Sequence, residues 1–447
     1  MISTLAAIRF GTGRAPDIAA PRDAGDLLLR LSGPDRMAKA WPQPSWEMRA
    51  AAALDWIRLR RARRDGGADA FRAAQRAMVV AYHEDLARAL ARAALTEDGF
   101  RERLAWFWAD HFAVAGGRGL LRRSVPSYHE AAIRPHLAGS FADLLTAAVT
   151  HPAMVIYLDN WGSTGPNSPR GRRSGGNINE NLAREVLELH TLGAGAAYRQ
   201  TDVRQLAELL TGLSITREGD PQFRHNQAEP GAETVLGRSY GGAEPDRGDI
   251  DRVLADLAVH PDTARHLSTK LARHFVADTP DPDLVARMTA TWTRTGGDLM
   301  AVYATMLDHD AAWQPTLAKV RRPMELLAAG LRALGRGRAI MEADVPALRN
   351  LANQPLERMG QTWLRPPGPQ GWPEAAPEWI TPQLLAARLG WAIALPEALG
   401  DLPDPRDFVE TALGPLADGR LRFAAAAAEE RAAGISLVLA SPAFNRR

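Results

Sequence analysis

The sequence predicts an all-α protein: one large multi-helix body with a short β-hairpin excursion near residues 222–237. Apolar side chains recur at three- and four-residue steps along most of the 447 residues, which is the spacing of amphipathic helices. Helix-start signals stand in the expected places, such as Asp262 after Pro261 and Asp281 after Pro280. Only one stretch of the chain has the composition of β-strands.

The individual helices follow from this periodicity. In the third of them Phe100, Leu104, Phe107 and His111 repeat at three- and four-residue steps. The pattern predicts helices over 45–64, 68–94, 97–112, 127–137, 140–150, 177–192, 202–211, 249–260, 262–276, 281–295, 299–307, 318–334, 381–394 and 424–439.

Between these helices the sequence predicts one hairpin and two long loops. Residues 222–226 and 233–237 flank Glu229-Pro230-Gly231, which indicates two short strands and a turn. The loops are 161–176, rich in Gly, Ser, Pro and Arg, and 361–382, which holds six prolines and three tryptophans. We therefore divide the chain into an N-terminal helical region (1–214), an excursion (215–245) and a C-terminal helical region (246–447), which together form one continuous domain.

Composition excludes several classes of function. There is no cysteine, which excludes disulfides, thiolate catalysis and Cys-ligated metal centres. The net charge is +2, and arginines alternate with acidic residues along the helices, so we expect no nucleic-acid partner. No apolar run is long enough for a membrane span. The N-terminus lacks the pattern of a signal peptide, which by itself predicts a cytoplasmic protein.

The helix predicted at 177–192 is the strongest candidate for a site. Asn177 and Glu180 have capping-box spacing, and Asn181, Arg184, Glu185 and Glu188 share one arc of the helix. Two carboxylates facing the interior would suit acid/base catalysis or a divalent cation, with Asn181 and Arg184 orienting a substrate. The alternative is a capped helix with a salt-bridged solvent face.

Two histidines are candidate helpers of these carboxylates. His190 projects away from the polar arc, and His111 follows Trp106-Phe107-Trp108, so both also fit core histidines that hydrogen bond to backbone carbonyls. Metal-ligand spacing is weak, because no His-Glu-x-x-His or Glu-x-x-His occurs. The identity of any metal stays open.

Two loops offer surfaces for a substrate or a partner. Trp372 and Trp379 lie on the Pro-rich loop, where they would either stack on a sugar ring or pin the loop across the helices; we favour pinning. Arg172 and Arg173 would clamp an anion, although a disordered basic loop fits the sequence better.

Several motifs together resemble the bacterial domain-of-unknown-function family 1800, over nearly the whole chain. The blocks are Phe107-Trp108-Ala109-Asp110-His111-Phe112, Asn179-Glu180-Asn181-x-Ala183-Arg184-Glu185, Glu188-Leu189-His190-Thr191-Leu192-Gly193, Arg322-Pro323-x-Glu325 and Gly371-Trp372-Pro373. The resemblance implies a mostly helical fold and a bacterial origin. It also implies that a protein of the companion domain-of-unknown-function family 1501 is a candidate partner, and that many such proteins are exported.

Two classes of function stay open at this point. The first is a hydrolase or lyase that acts on an envelope polymer or glycan, with Glu185 and Glu188 as its acid/base pair or cation ligands. The second is a non-enzymatic binding or assembly protein that acts with a partner. Whether the protein is an enzyme, and in which compartment it acts, is not decided by the sequence.

Overall fold

The computed structural model describes residues 1–64, 67–117 and 119–447. Helices dominate it and strands are few, so the expected all-α class is confirmed. Before the strands the α-helices are α1 (Ile2–Leu5), α2 (Ala24–Ser32), α3 (Arg36–Ala40), α4 (Trp46–Ala62), α5 (Ala68–Leu95), α6 (Gly99–His111), α7 (Val125–Tyr128), α8 (Phe141–Thr150), α9 (Pro152–Tyr157), α10 (Gly171–Ser174), α11 (Asn181–Glu185) and α12 (Gln200–Leu209).

After the strands the chain is helical to its end. These helices are α13 (Arg247–Ala258), α14 (Pro261–Phe275), α15 (Pro282–Thr295), α16 (Leu299–Asp308), α17 (Pro323–Ala333), α18 (Ala339–Glu342), α19 (Val345–Leu348), α20 (Gln354–Arg358), α21 (Pro382–Leu399), α22 (Pro405–Ala412), α23 (Gly419–Ala427) and α24 (Arg431–Ala440). Single π-helical turns occur at Ala6–Phe10, His129–Ile133, Val186–His190 and Arg349–Asn353. Within the described residues no helix has the length and apolarity that a bilayer span requires.

The strands form two small hairpins. β1 (Leu213–Ile215) pairs antiparallel with β2 (Pro221–Phe223), and β3 (Gly231–Val235) pairs antiparallel with β4 (Arg238–Gly242). A short excursion near 222–237 is therefore present, but the expected pairing of 222–226 with 233–237 is wrong. The reason is the turn at Leu236-Gly237, where both residues have positive φ (49° and 78°) and fold 231–235 back onto 238–242.

The hydrophobic core falls into two clusters that draw on both halves of the chain. One joins α6, α8 and α9 to α13–α16, and the other joins α5 to α17 and α21–α24. Helix α5 thus packs against residues more than 200 positions later in the chain. The division into 1–214, 215–245 and 246–447 stays a prediction.

Charged side chains also link these elements, in what we call the buried ion network. Glu325, at the start of α17, accepts from Nε of Arg447 at 2.8 Å and from the backbone N–H of Arg322 at 3.1 Å. Arg103 of α6 lies 3.2 Å from the same carboxylate. Burial opposes ionisation of Glu325, yet Arg103 and Arg447 hold its pKa well below the ordinary value. This carboxylate therefore ties α6, α17 and the last residue of the chain together.

Removing that charge should destabilise the protein strongly. Glu325→Gln leaves two buried guanidinium groups without their carboxylate, so we expect a loss of roughly 3 kcal/mol or more in the free energy of unfolding. Urea unfolding followed by circular dichroism measures it. The exposed Glu397→Gln is the matched control, with a change within about 0.5 kcal/mol. Equal unfolding midpoints for the two variants would contradict this account.

The second hairpin carries a buried acidic residue, Glu233, which faces a half-buried one, Glu208, on α12. Glu233 of β3 is 7% exposed and points with Val235 towards α12, where its carboxyl group hydrogen bonds with Glu208. Burial and the neighbouring Glu208 raise the pKa of Glu233 to about 7. The negative charge of Glu208 next to this buried carboxyl group therefore favours the protonated form of Glu233 up to about pH 7.

This pair predicts a specific pH dependence. A raised pKa in the folded state stabilises the fold below the ordinary value of 4.5, and this contribution is lost as the pH rises through about 7. Glu233→Gln should therefore gain roughly 1–2 kcal/mol over the unsubstituted protein between pH 5 and pH 8, after allowance for partial screening. Urea unfolding at both pH values measures the difference. The exposed Glu244→Gln should show no such gain. An equal difference in stability between Glu233→Gln and the unsubstituted protein at the two pH values would refute the raised pKa of Glu233.

Candidate functional site

A concave site lies between α5, α6, the π-helical turn 129–133, the start of α17 and the loop 361–382. Its cavity volume is about 170 Å³, enough for on the order of ten water molecules. Three half-buried tryptophan rings, Trp106, Trp363 and Trp372, line it together with apolar side chains such as Met324 and Leu364. We call it the tryptophan cleft. Such a mixture of aromatic rings and a few polar groups is typical of small-molecule and sugar sites.

His129 is the titratable group of the cleft without a protein partner. It begins the π-helical turn His129–Ile133 and makes no hydrogen bond to any described residue. Burial lowers the pKa of its imidazole to about 4, so the ring is uncharged at neutral pH. An uncharged imidazole facing a cavity has a free nitrogen lone pair that can accept a hydrogen bond or a proton from a bound molecule.

The other charges of the cleft wall are paired with one another. Arg92 lies 2.6 Å from Glu130, and Arg134 lies 2.5 Å from Glu102. Nearer the loop, Arg322 donates to Asp110 at 2.7 Å. The guanidinium and carboxylate groups of these three pairs therefore neutralise one another.

The floor of the cleft is the continuation of the buried ion network. Glu374, on loop 361–382, accepts from Arg322 at 2.6 Å and from Nδ1–H of His274 at 2.7 Å. Lys319 donates to its carbonyl oxygen at 2.8 Å. Although burial opposes it, Arg322 and His274 hold the pKa of Glu374 well below its usual range. Asp110 also accepts from the backbone N–H of Trp372 at 2.9 Å, so the loop edge that carries this ring is fixed in place.

Behind this floor lies a cluster of nitrogen bases. Nε2–H of His111 donates to the carbonyl oxygen of His190 at 3.2 Å, which leaves Nδ1 to accept from Nζ of Lys270 at 2.9 Å. The His111 and His190 ring centroids are 5.9 Å apart. Burial lowers the pKa of His190 to about 3 and that of His266 to about 4. All three rings are therefore neutral at pH 7.

The helix expected at 177–192 is shorter than the sequence pattern indicates. It spans α11 and the π-helical turn Val186–His190, because Asn177 pairs with Thr164 in a β-bridge instead of starting the helix. Asn179 supplies the first acceptor, from the backbone N–H of Asn181 at 2.9 Å. The expected Asn177–Glu180 capping box is therefore wrong.

The carboxylates of this helix do not face the interior. Leu182, Val186, Leu187 and His190 occupy the buried side, so the expected inward cluster is corrected to a half-exposed one. Glu185 and Glu188 are both half-buried; burial and the charge of Glu188 raise the pKa of Glu185.

The remaining members of the polar arc belong to the surface. Arg184 pairs with Glu180 at 3.1 Å, and Asn181 is exposed. This is the salt-bridged face that the sequence offered as the alternative. Neither residue, nor Glu185 or Glu188, lines the tryptophan cleft. Their catalytic role stays a prediction.

The two expected loop surfaces differ from each other. Trp379 is 2% exposed and its Nε1–H donates to the carbonyl of Pro373, so this ring pins the loop as favoured from the sequence. Trp372 is half-buried and lines the cleft.

Arg172 and Arg173 are exposed on α10. Their loop is anchored, because Gly165 N–H donates to Gln227 and Ser168 is fully buried, which corrects the expectation of a disordered segment.

Several residues of the site are not among those that the sequence predicts. His266, Lys270 and His274 are four residues apart on one face of α14. This i, i+4, i+8 spacing in the sequence indicates that the three side chains lie close together. Glu374 and His129 have no such signal, because their surroundings come from distant parts of the sequence. Across 1–64, 67–117 and 119–447, no group of three His, Asp or Glu side chains is arranged to hold a metal ion.

Comparisons with known proteins identify the family of this chain but no activity. No curated protein and no solved structure matches this chain. One family model, described as a protein of unknown function (DUF1800), matches residues 8–446. Since this match covers nearly the whole chain, including both polar sites described above, the protein belongs to the DUF1800 family.

Proposed function

We propose that the protein is an enzyme of the hydrolase or lyase type that acts on a glycan of the cell envelope, with the tryptophan cleft as its active site. The observation that carries the proposal is the uncharged, unpartnered imidazole of His129 in a cavity lined by three indole rings. Indole faces bind the apolar faces of sugar rings, and a neutral imidazole can accept a proton from water or from a sugar hydroxyl group.

The paired charges of the wall indicate which sugars fit. Arg92, Arg134 and Arg322 each already bind a carboxylate, so an acidic polymer finds no free cation at these positions. An uncharged sugar unit needs only stacking surfaces and hydrogen-bond donors. Gln361 accepts from Met324 N–H through its oxygen, which leaves its amide nitrogen to donate to a hydroxyl group. These features favour a neutral glycan.

A second candidate is a binding or assembly protein that acts with a partner, such as a protein of family 1501. It is supported by apolar side chains on the surface of α21, where Leu385, Leu389 and Ile393 are spaced four residues apart and are 38%, 39% and 53% exposed. In this alternative the cleft binds a glycan without cleaving it.

One experiment separates these candidates. The full chain is incubated in H₂¹⁸O with isolated peptidoglycan and with chitohexaose, a neutral N-acetylated oligosaccharide, and the products are analysed by mass spectrometry. A hydrolase incorporates ¹⁸O into the new end, whereas a lyase acting on a neutral glycan produces an anhydro sugar without it. We expect His129→Ala to lower the rate by about 100-fold or more and to leave the binding of the oligosaccharide nearly unchanged.

Controls distinguish a catalytic role from a structural one. The exposed His225→Ala should keep full activity, and Trp363→Ala should weaken binding by roughly tenfold through the loss of a stacking face. Tryptophan-dependent binding without any cleavage by the unsubstituted protein would favour the assembly protein. Absence of binding to both glycans would refute the use of the cleft for sugars.

A further inference from the structure

Lys270 has an environment unlike that of the two other lysines. The chain contains only Lys39, Lys270 and Lys319. Lys39 is exposed on α3, and Lys319 is bound by Asp278 and Glu374. The amine of Lys270 instead donates to a neutral imidazole, His111 Nδ1 at 2.9 Å, and no carboxylate among the described residues lies within 4.0 Å of it.

We propose that Lys270 is a carbonyl-binding site, at which its amine forms an imine with the aldehyde or ketone group of a small ligand. The geometry that carries this is the Lys270–His111 pair, in which the amine is held by a proton acceptor and not by an ion pair. The proposal is independent of any reaction in the tryptophan cleft.

The charges around the amine support this assignment. Burial is the largest influence and lowers the pKa of Lys270; the charges of Asp110 and Glu374 raise it, and those of Arg322 and Arg273 lower it. His111, His190 and His266 are neutral, so these rings do not stabilise the ammonium form as an adjacent carboxylate would. A desolvated lysine of this kind has a larger fraction of the nucleophilic free amine than an exposed one.

The chemical step uses both members of the pair. The lone pair of the Lys270 amine attacks the carbonyl carbon, and the C–N bond forms as the C=O π electrons move to oxygen. His111 Nδ1 takes one proton from the nitrogen and delivers it to the oxygen, which gives the carbinolamine. It then takes the second N–H proton and delivers it to the hydroxyl group, which leaves as water while the C=N bond forms. The products are the imine and one water molecule, with no oxidant or reductant. Because His111 Nε2–H is bound to the His190 carbonyl, the ring presents Nδ1 to the reacting amine.

The three lysines provide the test and its internal controls in one sample. The full-length protein is treated at pH 7 with glyceraldehyde and sodium cyanoborohydride, which reduces any imine to a stable secondary amine, and labelling is followed by peptide mass spectrometry. We expect Lys270 to be labelled about tenfold faster than the exposed Lys39, and the ion-paired Lys319 to be labelled more slowly than both. A purely structural, buried Lys270 would instead be labelled more slowly than Lys39.

A pH profile and two variants complete the design. The ratio of Lys270 to Lys39 labelling should fall as the pH rises towards 10, because the free-amine fraction of any lysine increases with pH and the advantage of a desolvated one then disappears. Lys270→Arg keeps the cation and should abolish labelling at this position, and His111→Gln should slow it by roughly tenfold while Lys39 is unaffected. Labelling of Lys270 no faster than Lys39 at pH 7 would overturn the proposal, whatever the behaviour of the variants.

Discussion

The structure depends on the requirement that charges removed from water be paired. Glu325 and Glu374 lie where α6, α14 and α17 meet, and each is bound by two or more cationic or hydrogen-bonding groups. An isolated carboxylate at either place would carry a large desolvation cost, so these partners must assemble together or not at all. The network therefore fixes the relative positions of three helices, the loop 361–382 and the end of the chain.

Helix α6 shows how the network separates two polar sites. Trp106 and Asp110 lie on the side of α6 that lines the tryptophan cleft. Arg103 and His111 point towards α14, where they meet His274 and Lys270. One helix thus presents an indole and a carboxylate to the tryptophan cleft, and a guanidinium and an imidazole to the cluster around α14. Because Asp110 also holds Trp372 through its backbone, the geometry of the cleft depends on the same ion pairs that stabilise the core.

Local signals are sufficient for the fold class and insufficient for the site. The period of apolar residues identifies α4, α5, α6 and α14 within a few residues, because helix formation depends mainly on neighbours three and four positions apart. The predicted hairpin pairing is wrong because it places the turn at Glu229-Pro230-Gly231 instead of Leu236-Gly237. The dense polar run 179–188 suggests a site, but polar residues at helical spacing also form solvated faces, and only the packing of Leu182 and Val186 shows which side is buried. His129 and Glu374 have no local signature, since their surroundings come from distant regions of the chain.

The composition of the cations fits this division of roles. Of 54 lysines and arginines only three are lysines, and the ion pairs of Glu325 and Asp110 are made by guanidinium groups. Guanidinium stays charged under all ordinary conditions and binds carboxylates through two parallel N–H groups, which suits a permanent structural contact. An amine loses its proton when it is desolvated, and Lys270 lies next to a neutral histidine and not a carboxylate. A lysine in place of the arginines that bind Glu325 would be a weaker partner for this carboxylate. An arginine at position 270 would have no nucleophilic form at ordinary pH. The choice of arginine for the network and lysine beside His111 therefore follows from whether the charge must be kept or released.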